Sequence, residues 1–356
     1  MKTGRTTSRL SGVGLALAGI LALGVAGQAS AADRPTRLDM QGAYPGAVHL
    51  LGTSPSSMTK RLETATDGKV RIRWHEPNSI VPPQEVFDAV STGALDAFWG
   101  TPGDASNKDI AFTLFTSVPF GPTSLEFISW VRHGGGQELM DELYGRYNIV
   151  AMPCGVVASE ASGWFRREIK STEDLDGLKM RFFGLGGLVM EKFGVSTQSL
   201  PAGEIFQALQ LGTIDATEFS TPSMDINLGF YQVAKHYYFP GWHQPTAMDV
   251  LAINKDVWDK MPDGHKVAVR MACDSVINEM LFEGEASQGA ALAKMQAAGA
   301  QIHSWSPEVL GKFRAAWRDV EAEVGAGNDL FQRTRQSLEA YRKEYKLWRD
   351  LSSFSE

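Results

Sequence analysis

The segment EVFDAVSTGALDAFWGTP at residues 85–102 recurs, lightly altered, as EIFQALQLGTIDATEFSTP at residues 204–222. Both copies share a Glu-x-Phe-x-Ala face, a glycine (Gly93, Gly212), an Asp-Ala pair (Asp96-Ala97, Asp215-Ala216) and a closing Thr-Pro. Phe87 with Val90, and Phe206 with Leu209, fall on one helical face, and the glycine supplies the left-handed residue that ends a helix. The short apolar run around Asp-Ala then reads as a buried strand, stopped by Pro102 or Pro222. A chain that repeats helix, cap and strand at this distance is expected to fold as two similar α/β lobes. The residues that differ, Phe98-Trp99-Gly100 and Thr217-Glu218-Phe219-Ser220, stand at the carboxyl ends of the two strands, where open α/β sheets bind ligands.

A chain of 356 residues that is 43% hydrophobic and 21% charged can bury a core large enough for both lobes. Its net charge of −7, with no basic stripe, argues against a nucleic-acid partner. Lys2, Arg5 and Arg9 precede an uncharged apolar stretch from Gly12 to Gly27, and Ala29-Ser30-Ala31 fits a cleavage site. Residues 1–31 therefore read as a secretory signal peptide, which places the mature chain outside the cytoplasmic membrane. Disulfides can form there, but two distant cysteines, Cys154 and Cys273, make no disulfide framework, and no bridge is expected.

Strand and helix signals alternate up to about Pro262 and become mainly helical beyond it. No low-complexity linker separates the lobes, so several crossing segments are expected to form a hinge. The GLGGLV stretch from Gly184 mimics a dinucleotide fingerprint but has Val189 at the third glycine position. The strand before it delivers Arg181 next to a helix start, a favourable place for an anion. The seven histidines are scattered and form no metal-binding spacing, and no nucleophile–base motif is present. Trp99 and Phe219 occupy equivalent ends of the two copies. A carboxylate at Glu218, finishing an apolar strand, is costly unless it is paired or bound to a cation.

The segments SGWFRREI, LDGLKMR, PAGEIFQALQLGTIDATEF, LGFYQVAKHYYFPGWHQP and INKDVW, with WHEPNSIVPPQEVFDAVSTGALDAFWG and FTLFTSVPFGP upstream, resemble the solute-binding proteins of tripartite ATP-independent periplasmic (TRAP) transporters. The likeness runs over most of the mature chain and is nearest to the branch that binds 2-oxo acids, lactate and related carboxylates. It implies a type II-like two-lobed periplasmic binding fold with hinge strands and long C-terminal helices. The first lobe would span about 32–155 with the helices of 256–356, and the second 156–255. The resemblance also implies no catalysis, no organic cofactor, and membrane permease subunits as partners. It puts Arg181 on the substrate carboxylate, with Trp99, Glu160, Phe219 and Tyr44 around the ligand. A bridging Ca²⁺ or Na⁺ would be held by Glu218, Phe219 through its carbonyl, Gln244 and Glu160. Glu160 departs from the pattern, replacing a neutral ligand with a charged one, while Val156 removes a polar contact. With Trp99, Val156 leans towards a bulkier acid, an aromatic one included. The alternatives are a secreted hydrolase using Glu160 and Glu218 as an acid/base pair, the receptor of an ABC importer, and a sensor. The apolar stripe Leu338, Tyr341, Tyr345, Trp348 and Leu351 on the last helix is expected to pack on its own lobes or to join a homodimer.

Overall fold

The structure is a computed structural model describing residues 34–352, so the expected leader lies outside the described residues. Strand β1 (Thr36–Gly42), helix α1 (Thr53–Ala65), β2 (Val70–His75), α2 (Val86–Thr92) and β3 (Ala97–Gly100) open the chain. Helices α3 (Ser124–His133) and α4 (Gly136–Gly145) lead to β4 (Ile149–Val157). Then come β5 (Gly163–Phe165), β6 (Lys179–Arg181), α5 (Leu185–Glu191), β7 (Ser196–Gln198), α6 (Ala202–Leu211), β8 (Ala216–Thr217), α7 (Pro222–Leu228) and β9 (His236–Phe239). Strand β10 (Ala247–Asn254), α8 (Lys255–Lys260), α9 (Asp263–Ala297), β11 (Gln301–Ser304), α10 (Pro307–Val324) and α11 (Asp329–Ser352) complete it.

The two copies of the repeat are α2 with β3 and α6 with β8, each helix ended by its glycine in the left-handed region (Gly93 φ 79°, Gly212 φ 73°). The buried faces are Val86, Ala89 and Val90 in one and Ile205 and Leu209 in the other. Phe87 and Phe206 flank those faces half-buried, and Phe87 meets the rings of Phe112 and Tyr147 instead of the sheet.

Two sheets form, in the orders β2-β1-β3-β10-β4 and β11-β9-β5-β8-β6-β7. In the first, β3 lies between parallel β1 and antiparallel β10; in the second, β8 lies between parallel β6 and antiparallel β5. The repeat in sequence is thus a repeat in topology, with β1 and β6 in matching places and Tyr44 and Arg181 near their carboxyl ends. The sheets divide the chain differently from the expected boundaries. Strand β10 pairs with β3 and β4, so residues 247–254 belong to the first lobe, and β11 pairs with β9, so 301–304 belong to the second. Fully buried and mainly apolar, β10 completes the first sheet between β3 and β4, which a reading by chain order could not foresee.

The lobes are joined by residues 158–162, by 240–246, and by α9. The first two run side by side: Gly241 N donates to Glu160 O at 2.9 Å and Glu160 N to Gln244 O at 3.3 Å. A Cβ on Gly241 would stand 2.2 Å from Glu160 O, so only glycine permits this approach. Helix α9 packs on β4 and α1 with its first half, and its Gln288 accepts from Ser223 N at the start of α7 in the second lobe. Cys273 on α9 is bonded to Cys154 on β4, which corrects the expectation of no bridge. The strand-to-helix packing brings together two cysteines that sequence spacing could not relate. Helix α10 packs on α5, and α11 returns to α3 and α4. Leu338 is buried, whereas Leu347, Trp348 and Leu351 are exposed at the end of α11.

Candidate functional site

Arg181 ends β6 and Glu218 follows β8, and the parallel pairing of these strands places them together at the carboxyl edge of the second sheet. Glu218 N donates to Arg181 O at 3.1 Å, extending the ladder past the strand. Arg181 Nη1 donates to Glu218 Oε2 at 2.8 Å and to Glu218 O at 2.6 Å, and Phe183 N donates to the same Oε2 at 3.0 Å. Both side chains are buried, and this pairing explains how an apolar strand tolerates a terminal carboxylate. Among the described residues Arg181 Nε and Glu218 Oε1 have no hydrogen-bond partner and stay idle.

Glu160 comes to the same place from the hinge. Ser220 Oγ donates to its Oε1 and Gln244 Nε2 to its Oε2, both at 3.0 Å. Burial, and then the charge of Glu218, push its carboxyl well above the usual range, against the opposing pull of the Ser220 bond. Asp225, on α7, supports this edge: it accepts from Trp164 Nε1 (2.9 Å), Tyr237 OH (2.8 Å) and Ser220 N (3.2 Å). Burial outweighs these three bonds and raises its pKa to about 7.

His243 is the site residue that sequence reading missed. Counted among scattered histidines, it is fully buried, with Nε2 at 3.7 Å from Glu218 Oε1 and 3.9 Å from Glu160 Oε2. Among the described residues neither ring nitrogen has a hydrogen-bond partner. One ligand atom from each of Glu160, Glu218 and His243 lies within 4.8 Å of the others, a spacing that one cation can bridge. The signal available was its adjacency to Gln244 in the hinge.

The other expected residues distribute as follows. Phe219 is buried with its ring 5.6 Å from the Arg181 guanidinium carbon. Tyr44 is half-buried on the first lobe; after burial, the charges of Asp249, Asp104 and Glu160 raise its phenol pKa and that of Arg181 lowers it. Trp99 is fully buried in the first lobe, and Val156 is fully buried in the core. Gly103, Thr113, Thr116 and Ser117 of the first lobe face Phe183, Leu185, Gly186, His243 and Gln244 across a narrow cavity.

Two lobes hinged at Glu160 and Gln244, with idle charged and polar groups along their facing edges, define a solute-binding protein that closes around a small anion. The chain matches the family of bacterial extracellular solute-binding proteins, family 7 (DctP), over residues 42–327, and it belongs to that family. It is 33% identical to a monocarboxylate 2-oxoacid-binding periplasmic protein from Nostoc sp., over 86% of this chain and 84% of the relative. Among solved structures it resembles a TRAP transporter solute binding protein from Bordetella bronchiseptica, a dimer with copurified calcium and picolinate at its active site. That likeness has TM-score 0.87 and 34% identity, covering 90% of this chain and 95% of the other. A second, from Pseudoalteromonas atlantica with bound sodium and pyruvate, has TM-score 0.85 and 29% identity, over 90% and 100% of the chains. The protein is a periplasmic, non-catalytic carrier that captures a small organic acid for a TRAP membrane permease. The hydrolase reading of the carboxylate pair falls with that assignment.

Proposed function

We propose that the ligand is a carboxylic acid with a second donor atom beside its carboxyl group, held by Arg181 and by a cation at Glu160 and Glu218. Pyruvate and picolinate, bound by two of the relatives, share this chemistry: a keto oxygen or a ring nitrogen next to the carboxylate lets one cation be chelated. The observation that carries the reading is the orphaned Glu218 Oε1 beside His243 and Glu160, in a buried cluster that also contains Arg181. The Phe219 carbonyl and the carboxamide oxygen of Gln244 complete the donor set, and Trp99 and Tyr44 belong to the opposing wall. Ligand carboxylate, Glu160 and Glu218 set against Arg181 leave two negative charges, which a divalent ion cancels and a monovalent ion does not. Ca²⁺ is therefore favoured over Na⁺.

Stripping the protein with a chelator should weaken pyruvate or picolinate binding at least tenfold in calorimetric titration. Ca²⁺ should restore it, and Na⁺ at equal ionic strength should not. Protons compete with the cation for Glu160, whose pKa burial has raised, so cation affinity should fall as pH is lowered and recover as it rises. Affinity unchanged by chelation would remove the cation from the site. The exposed Leu347, Trp348 and Leu351 on α11 support a homodimer through that helix, in line with the dimeric relative. Light scattering should give twice the chain mass, and Trp348→Glu should halve it; a monomer at high concentration would exclude the dimer.

A further inference from the structure

Residues 113–120 of the first lobe line two cavities. Thr113, Thr116 and Ser117 face the ligand cleft, while Leu114, Val118 and Phe120 line a second cavity, of about 220 Å³, against α10 and α11. An engineered apolar cavity of about 150 Å³ takes up benzene, so this one has room for a comparable ring. Its walls belong to different lobes. Helix α10 is fastened to the second: Phe313 meets the Phe193 ring at 5.3 Å, Lys192 Nζ donates to Glu323 at 2.7 Å, and Lys312 Nζ donates to Thr172 Oγ1 at 3.2 Å. Helix α11 is fastened to the first, through Arg333 on Glu142 and through Ser337 Oγ, which accepts from Trp130 Nε1 at 3.1 Å. The cavity is also tied to the hinge. Phe120 N donates to Trp242 O at 2.7 Å, and the two rings stack at 5.6 Å, next to His243.

Four arginines line the cavity, and two of them have no carboxylate partner. Arg335 is held by Glu321 at 3.5 Å and Glu339 at 3.0 Å, and Arg342 by Glu126 and the carbonyls of Phe120 and Gly121. Arg314 and Arg318 lie one turn apart on α10, both exposed. Among the described residues Arg314 meets only the face of Phe120, at 4.1 Å, and Arg318 has no ion pair or hydrogen bond. Four guanidinium groups set against Glu321, Glu339 and Glu126 leave one positive charge. The rest of the lining is largely apolar, with Leu114, Val118, Trp317 and Leu338 all buried. We infer that this cavity is a second binding site, for a monocarboxylate with an apolar body, and that its occupant holds the lobes in their closed arrangement. One carboxylate cancels the surplus charge, and the forks of Arg314 and Arg318 offer it paired donors. A ring or short chain covers Trp317 and Leu338, which an inorganic anion does not. The lobes are closed here: a Cβ on Gly103 of the first would lie 3.2 Å from Phe183 Cζ of the second. An occupant touching both α10 and α11 favours that arrangement, and through it the cleft ligand, by a reciprocal factor.

Benzoate is the probe, titrated calorimetrically into the full chain either stripped with chelator or saturated with Ca²⁺ and pyruvate. In the saturated state one benzoate per chain should bind, since the cleft is then taken. Arg314→Gln with Arg318→Gln should weaken that binding roughly tenfold or more. Both residues are exposed and lie outside the cleft, so the double variant should keep the parent's melting temperature and its pyruvate Kd within threefold. Saturating benzoate should tighten pyruvate binding by the parent at least threefold and leave that of the double variant unchanged. Benzoate displaced by pyruvate, or bound equally by the double variant, would belong to the cleft and overturn the inference, as would no binding at all. Phosphate bound as tightly as benzoate would overturn the apolar body, and a pyruvate Kd indifferent to benzoate would overturn the hold on the lobes. If pyruvate itself fails to bind, the chelated-carboxylate reading falls, while parent against double variant in the stripped state still decides this one.

Discussion

Arg181→Lys is expected to weaken pyruvate or picolinate binding by about 1.5 to 3 kcal/mol, roughly 10- to 150-fold, and Arg181→Ala to bring it close to abolition. Lysine keeps the charge but loses the planar fork. In this site the fork has two duties, because Nη1 already holds Glu218 through its carboxylate and its carbonyl while Nε is unengaged. Alanine would also strip Glu218, which is 1% exposed, of its counter-charge. Breaking a buried pair in this way costs on the order of 3–5 kcal/mol of folding stability. Circular dichroism melts should therefore accompany the titrations. The double variant Arg181→Ala with Glu218→Gln removes the stranded charge: it should regain stability without regaining binding. Binding by Arg181→Ala within threefold of the parent would mean that the carboxylate is held elsewhere.

Loss of the Cys154–Cys273 bond should be the largest purely structural effect. The bond closes a loop with sequence separation 119 and fastens α9, which passes between the lobes, to β4 of the first sheet. Removing such a bond typically costs about 2–5 kcal/mol, mostly by freeing the unfolded chain, which for a chain of this length corresponds to roughly 3–7 °C in melting temperature. Cys154→Ala with Cys273→Ala is the appropriate variant, since both positions are buried and serine would leave idle hydroxyls. Scanning calorimetry should register the drop, while ligand affinity stays near the parent's because neither cysteine lies in the cluster around Arg181. A melting temperature unchanged within about a degree would show that packing alone holds α9.

The repeat at residues 85–102 and 204–222 already implied two α/β lobes and two strand ends facing a ligand, because its signals are local. Helical spacing, a glycine that can take positive φ, an apolar run and a stopping proline act within some eighteen residues. Arg181 and Glu218 were legible for the same reason: each follows directly from a strand whose end could be placed. Glu160 was found only through resemblance, and His243 was passed over, because nothing near either residue in sequence reveals that the two hinge chains run side by side. Gly241, which allows that contact, is one glycine among 36 until Glu160 O is found beside it.

The remainder was decided by pairing across long distances. Strand β10 joined the first lobe because an antiparallel apolar strand completes the sheet between β3 and β4, although chain order put it with the second. Cys154 met Cys273 because α9 lies on β4. Trp99 is buried beside Gly155, and its idle N–H emerged only with its neighbours in place. Residue type and spacing set the local elements and what each strand end could offer. Which buried charges confront one another depends on sheet order and hinge packing, where the free energy is shared among residues far apart in the chain.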